Sequence, residues 1–236
     1  MLVLVTQFSL ILETIGICPR FLAAFIWTII VMLRKCLRDP IPEIYDAARY
    51  LDAAVSAHIE GKHELVVELI RAADKSELRE WTESLWGTNS PYVKKSIIPG
   101  APPHLPKEER IPARMPNATE KASLHARDGF HCRFCGVPVI RKEIRDYFSS
   151  KYPHVPIWGT KNIEQHSAFQ LMWLQYDHVL PHARGGNNDI ENIVITCAPC
   201  NYGRGDSLVE EVGLEDPFAH EPIRSTWDGL ERVLKS

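Results

Sequence analysis

The chain has no surplus of positive charge. Its 236 residues carry 27 Lys and Arg against 30 Asp and Glu, a formal net charge of −3. That weighs against binding to nucleic acid through bulk electrostatics, which shows as a high pI or an extended basic face, and leaves room for a local basic groove. Internal repeats and low-complexity tracts are absent, which excludes a repeat architecture. No Lys or Arg precedes the first apolar run and no small-x-small site follows it, so a cleaved signal peptide is not expected. Cysteines are few, six in all, and four of them fall in two Cys-x-x-Cys pairs, Cys132/Cys135 and Cys197/Cys200. Paired spacing of this kind is a zinc signature rather than a disulfide framework. The remaining two, Cys18 and Cys36, have no obvious mate, and the usage suits a reducing compartment.

The length suffices for one large domain or two small ones with a real core. Residues 1–40 form an apolar segment unlike the rest. "FLAAFIWTIIVML" (Phe21 to Leu33) is uncharged and is followed by "RKCLR"; extended back to Ile15 it is interrupted by Pro19 and Arg20. A spanning helix needs about 20 mostly apolar residues, so residues 15–33 are borderline. The basic flank would keep the following chain in the cytoplasm if the segment inserted. Three readings stay open: a membrane anchor, a buried or partner-binding helix, or an upstream extension with Met32 as alternative start. The expected localisation is cytoplasmic, anchored in the first case.

Between residues 41 and 87 the periodicity predicts a small helical module. Ile44, Ala47, Ala48, Leu51, Val55 and Ile59 make one stripe that stops at Gly61. Leu65, Val66, Leu69 and Ile70 make a second; Leu78, Trp81, Leu85 and Trp86 make a third, with Ser76 as its expected N-cap. Packing or partner docking is the expected role. Residues 88–118 hold seven prolines and read as a linker or a strap over the surface. Lys94, Lys95, Lys107, Arg110 and Arg114 outnumber Glu108 and Glu109 there, which offers a phosphate backbone contact or merely solubility.

From residue 119 to 236 the pattern is mixed. A helix, a turn at Gly129 and the first cysteine knuckle come first. A helix over about 141–152 follows, then a strand within "LMWLQYDHVLP" and a second at "IVIT". "NYGRGDSLVEEVG" and "STWDGLERVLK" both read as helices. Two thiolates from each knuckle complete a tetrahedral shell, so the zinc would be structural rather than catalytic, with binding energy becoming folding energy.

The stretch "DHVLPHARGG", then Asn192, then "CAPCN" resembles the HNH endonucleases, the ββα-metal nucleases, in their four-cysteine form. The likeness covers about Thr119 to Val212. It implies an α+β fold with a structural zinc, preceded here by the helical module and the apolar segment. Hydrolysis of a phosphodiester needs a nucleophilic water, a base and a cation to neutralise charge. A neutral imidazole suits the base, which points to His178. The resemblance implies that Asp177 holds the metal while His178 activates water. Asn201, directly after Cys200, supplies a second oxygen, and such donors suit Mg2+ or Mn2+. Asn192 by resemblance braces the loop between the strands, and Gly185 and Gly186 permit its turn. His182 and Arg204 are candidate phosphate contacts or plain surface residues. Many relatives carry a third His in the last helix where this chain has Asn201. Trp158 and Lys161, in the long insertion between the knuckles, contact substrate or cover the core, and cover is the expectation.

The expected activity is a metal-dependent DNA endonuclease. The rivals are a non-catalytic zinc-stabilised module binding nucleic acid or protein, and a nuclease for branched DNA or RNA. Two nicks on opposite strands need two sites, so double-strand cleavage implies a homodimer.

Overall fold

The computed structural model describes residues 33–87, 89–112 and 114–235. The candidate span at residues 15–33 falls outside them except for its last residue, and no described helix is long and apolar enough to cross a membrane.

Helix α1 (Pro42–Ile59) starts with Pro at its first position, where the missing N–H costs nothing. Its stripe of Ile44, Ala47, Ala48, Leu51, Ala54 and Val55 is fully buried. The chain then reverses through Gly61 at φ +74° into α2 (His63–Ala73), which packs back on α1. Helix α3 (Ser76–Leu85) follows, and here the expectation was one residue out. Ser76 lies inside the first turn, with Lys75 at the cap position and no side-chain cap, because the Ser76 hydroxyl donates to Glu77 instead. These three helices share one hydrophobic core with the strands and with the helices that follow.

In the strap between α3 and the next helix, the described residues form only a 3-10 turn at Lys107–Glu109. Leu105 N–H donates to Ala183 O at 2.8 Å and Ser96 N–H to Glu211 O at 2.7 Å, pinning the strap to the segments around both residues. It ends in a capping box. Asn117 accepts from Thr119 and Glu120 N–H, while Glu120 accepts from Asn117 N–H, opening α4 (Ala118–Asp128).

After α4, Gly129 and Gly136, both with positive φ, bracket the first knuckle. Helix α5 (Lys142–Lys151) and short α6 (Ser167–Leu171) lead into the sheet. Strands β1 (Leu174–His178) and β2 (Ile193–Cys197) pair antiparallel, with Asp177 opposite Val194 and His178 opposite Ile193. Every residue of β2 is buried, so the pattern is the continuous apolar run of an inner strand. Cys197 passes straight into α7 (Ala198–Arg204), which packs on both strands.

Two expected helices are not formed. The segment after Arg204 breaks at Gly205 and makes only a 3-10 turn at Glu210–Val212. The C-terminal segment likewise yields a 3-10 turn at Glu231–Lys235. Gly229 and Leu230 both take positive φ there, which no α-helix accommodates. A Cβ at Gly229 would sit 2.3 Å from the Phe130 ring, so the chain is pressed too closely onto the knuckle to coil.

Candidate active site

The four cysteines converge from two directions. Cys132 and Cys135 come from the turn after α4; Cys197 and Cys200 come from the end of β2 and the first turn of α7. All four are buried, and their sulfurs lie within 4.8 Å of one another. None is disulfide-bonded. Cys135 Sγ and Cys197 Sγ are 3.6 Å apart. A tetrahedron with Zn–S of about 2.3 Å has sulfur edges of about 3.8 Å, so the donor type and spacing of this set suit zinc. Among the described residues it is the one group of three or more His, Cys, Asp or Glu placed to hold a metal.

The joint between the knuckle and β2 rests on residues that the spacing of motifs does not reveal. Asp128, fully buried at the end of α4, accepts from Ile195 N–H at 3.0 Å, while Arg133 N–H donates to Ile195 O at 2.8 Å. Arg127 grips Asp128 through Nε and Nη2, both at 2.7 Å, and reaches on to the carbonyls of Ile190 and Ile193. The inner strand thus has its outward backbone groups satisfied by α4 and the first knuckle. An Arg-Asp pair at a helix end carries no signal in the sequence.

On the other side of the sheet a cleft of about 860 Å³ opens, lined by Asp177, His178, His182, Asn201 and Arg204 together with Lys107, Arg110 and Arg114 of the strap. Consecutive residues of a strand face opposite ways, yet Asp177 and His178 both reach this cleft from the end of β1. Three of the five strap cations expected as a loose basic surplus, Lys107, Arg110 and Arg114, therefore gather at the site itself.

His178 is buried and its Nε2 lies 2.9 Å from Asn188 Oδ1. Asn188 turns its amide nitrogen to Met115 O, which fixes the oxygen toward the imidazole. Nε2 is then the protonated nitrogen and Nδ1 carries the lone pair. Burial pulls the His178 pKa below its ordinary value, with His182 and Arg114 adding to the shift and the Asn188 bond opposing it, so the ring is neutral at physiological pH. Asn188 was not among the expected site residues. It hides in "NNDIEN", where only the three-dimensional loop distinguishes it from Asn187.

Asn192 spans the same loop. Its Oδ1 accepts from Leu180 N–H at 2.8 Å, and its Nδ2 donates to Leu180 O and Asn187 O at 3.2 and 2.9 Å. Gly186 is required underneath, since a Cβ there would lie 1.8 Å from Leu180 O. Gly185 takes φ +90°.

Arg204 does not sit where a phosphate contact must. It is 1% exposed, and its Nε and Nη2 donate to the two oxygens of Asp177. Nη2 also donates to His178 O at 2.6 Å, and Nη1 to Ser207 O at 2.5 Å. Burial pushes the Asp177 carboxyl up from its usual range, and the guanidinium opposes that push. His182 is also occupied: its Nε2 donates to Ile111 O of the strap at 2.7 Å. Asn201 is half-buried beside Cys200 on the cleft wall.

Residues 167–215, from α6 through both strands and α7, match the family model described as HNH endonuclease. No curated protein and no solved structure matches the chain. The matched stretch holds the second cysteine pair; the fold delivers the first pair from 62 residues before it. Residues 167–215 are thus similar to the HNH endonuclease family, and the four-cysteine cluster beside them is consistent with a zinc knuckle.

Proposed function

We propose that this protein is a metal-dependent endonuclease that hydrolyses phosphodiester bonds in DNA. One observation carries the reading: a neutral, oriented imidazole, a carboxylate and a carboxamide line one cleft whose rim is basic. His178 Nδ1 takes a proton from water as the new P–O bond forms, and the bond to the leaving oxygen breaks. Asn188 holds the ring in the tautomer this needs, and Asn192 holds the loop bearing Asn188. Lys107, Arg110 and Arg114 attract the DNA backbone.

Asp177 and Asn201 would be the oxygen donors for Mg2+ or Mn2+, cations that such donors suit. Such a cation supplies charge neutralisation at the phosphate and the leaving oxygen. Asp177 would share its carboxylate with Arg204, which sets the geometry of the free lone pairs. The four cysteines would hold zinc, which would keep Asn201, next to Cys200, against the sheet.

Plasmid nicking with Mg2+ tests this. Nicking should stop when magnesium is omitted and fall about 10²–10⁴-fold in His178→Ala, the range for loss of a general base. Undiminished cleavage by that variant would remove the mechanism. A second reading has one observation in its favour: the Asp177 carboxylate is already taken by Arg204, as in a purely structural ion pair. In that case the protein binds nucleic acid without cutting it, and no substrate is nicked with any divalent cation.

A further inference from the structure

Beside the catalytic cleft lies a second, smaller cavity of about 270 Å³, walled by Trp86, Trp158, Trp173 and Tyr202 with Gln165 and Gln170. Tyr202, next to Asn201 on α7, lines both cavities. The aromatic rings form a continuous wall. Trp86 and Tyr202 have centroids 5.9 Å apart, Tyr202 and Trp173 6.3 Å, and Trp173 and Trp158 5.5 Å. Trp86 and Trp158 pack against the core on one side, but the wall is not sealed inside it. Tyr202 is 49% exposed and the three tryptophans are only half-buried.

The wall is also held rigid from behind. The buried Arg145 guanidinium lies 3.7 Å from the Trp158 ring centre and 5.0 Å from that of Trp173. Arg79 donates to Asn162 O and Gln165 O, at 2.8 and 2.6 Å, fixing the segment that carries Gln165.

Among the described residues, two polar atoms of this wall have no hydrogen-bond partner. Gln170 is 2% exposed; its Nε2 donates to Gln165 Oε1 at 2.8 Å, but its Oε1 is buried and accepts nothing. The Trp86 indole N–H is buried and donates to nothing. Buried polar groups are almost always satisfied, and unsatisfied ones in a cavity mark a missing partner. What fits is flat, aromatic and no larger than a small pocket ligand, with a donor and an acceptor on its edge. A nucleobase has that chemistry.

We infer that this cavity receives a single unstacked base of the DNA strand whose phosphate lies in the adjoining cleft. The inference rests on the nuclease reading and narrows it: the substrate is single-stranded or locally unpaired DNA. Aromatic rings supply stacking that tolerates any base, while Gln170 Oε1 and Trp86 Nε1–H read its edge. Because Tyr202 joins the two cavities, a base held there fixes the strand next to Asn201. Extruding a base is least costly where it is already unpaired, so mismatched or single-stranded positions are preferred.

The test measures binding separately from cutting. Fluorescence anisotropy is read with a labelled single-stranded DNA of about 12 nucleotides, within the usual range of single-strand site sizes, without added divalent cation. The same sequence as a duplex and a set with one abasic position moved along the strand complete the panel. The wild type should bind the single strand at least about tenfold more tightly than the duplex, and one abasic position should weaken binding about tenfold. In Tyr202→Ala that abasic penalty should vanish, with wild-type zinc content and melting temperature showing an intact fold. Trp86→Phe keeps the ring and removes the donor, so it should flatten any preference among the four bases at that position.

Equal binding of duplex and single strand, or an abasic penalty unchanged in Tyr202→Ala, overturns the inference. Plasmid nicking dependent on His178 would then leave the nuclease reading standing without the pocket. The reverse result, a Tyr202-dependent abasic penalty with no cleavage of any DNA, would remove the nuclease reading and keep the base site.

Discussion

Arg204 grips both carboxylate oxygens of Asp177, 27 residues earlier in the chain, inside a wall where the two side chains are 1% and 5% exposed. The pair ties α7 to β1 at the point where the candidate base leaves the strand. Removing one partner strands a buried charge, which costs about 3–5 kcal/mol, whereas exchanging both for neutral groups costs far less. Arg204→Met is therefore expected to lower stability by about that amount in urea unfolding. The double variant Asp177→Asn with Arg204→Met should recover a large part of the loss. If the single variant stays within about 1 kcal/mol of wild type, the ion pair is not holding the site together.

The four-cysteine cluster makes a separate prediction. Its sulfurs come from two turns that no regular element joins directly, so metal binding and folding are coupled. Purified protein is expected to contain one zinc per chain by elemental analysis. Cys200→Ser should lose it, together with the cooperative thermal transition. A metal-free sample that melts at the wild-type temperature would show that the cluster is dispensable for the fold.

His166 gives a pH dependence with a definite sign. It is 2% exposed, its Nε2 donates to Ile70 O at 2.7 Å, and its Nδ1 is buried with no partner among the described residues. Burial holds its pKa below the ordinary 6.5, against the pull of Asp74. Between the lowered folded value and 6.5 the unfolded chain binds the extra proton, so stability rises with pH across that window and falls on acidification. Thermal melts at pH 5.5 and 7.5 should differ more for wild type than for His166→Gln. Equal differences would mean that His166 is not the titrating group.

Much of this was legible from the residues because it rests on local pattern. Ile44 to Val55 repeat at helical spacing and are buried as the spacing requires; the two Cys-x-x-Cys pairs meet. What was not legible depends on contacts distant in sequence. Asp128 holds Ile195 N–H across 67 residues, and Arg127 reaches Ile190 and Ile193. The C-terminal segment has helical composition, yet Phe130 packs against Gly229 and forces positive φ at Gly229 and Leu230. Arg204 looked like a surface cation because nothing in "NYGRGD" says that its neighbour in space is Asp177. Trp158, expected to cover the core, does pack against it, and it also lines a cavity that nothing in its local sequence announces.

Asn188 allows the catalytic assignment to be tested without touching the imidazole. Its oxygen accepts from His178 Nε2 at 2.9 Å while its nitrogen donates to Met115 O, so one residue fixes both the tautomer and the tilt of the ring. Outer partners of this kind typically change activity about 10–100-fold when lost. Asn188→Ala is expected to lower kcat for plasmid nicking by about that factor, with little change in KM, since it touches no bound phosphate. Asn188→Asp should restore part of the rate and move the acid limb of the pH–rate profile upward, because a carboxylate beside the ring favours the imidazolium form. A merely structural residue would shift neither the profile nor the split between kcat and KM. An unchanged profile in Asn188→Asp would sever His178 from the role of base.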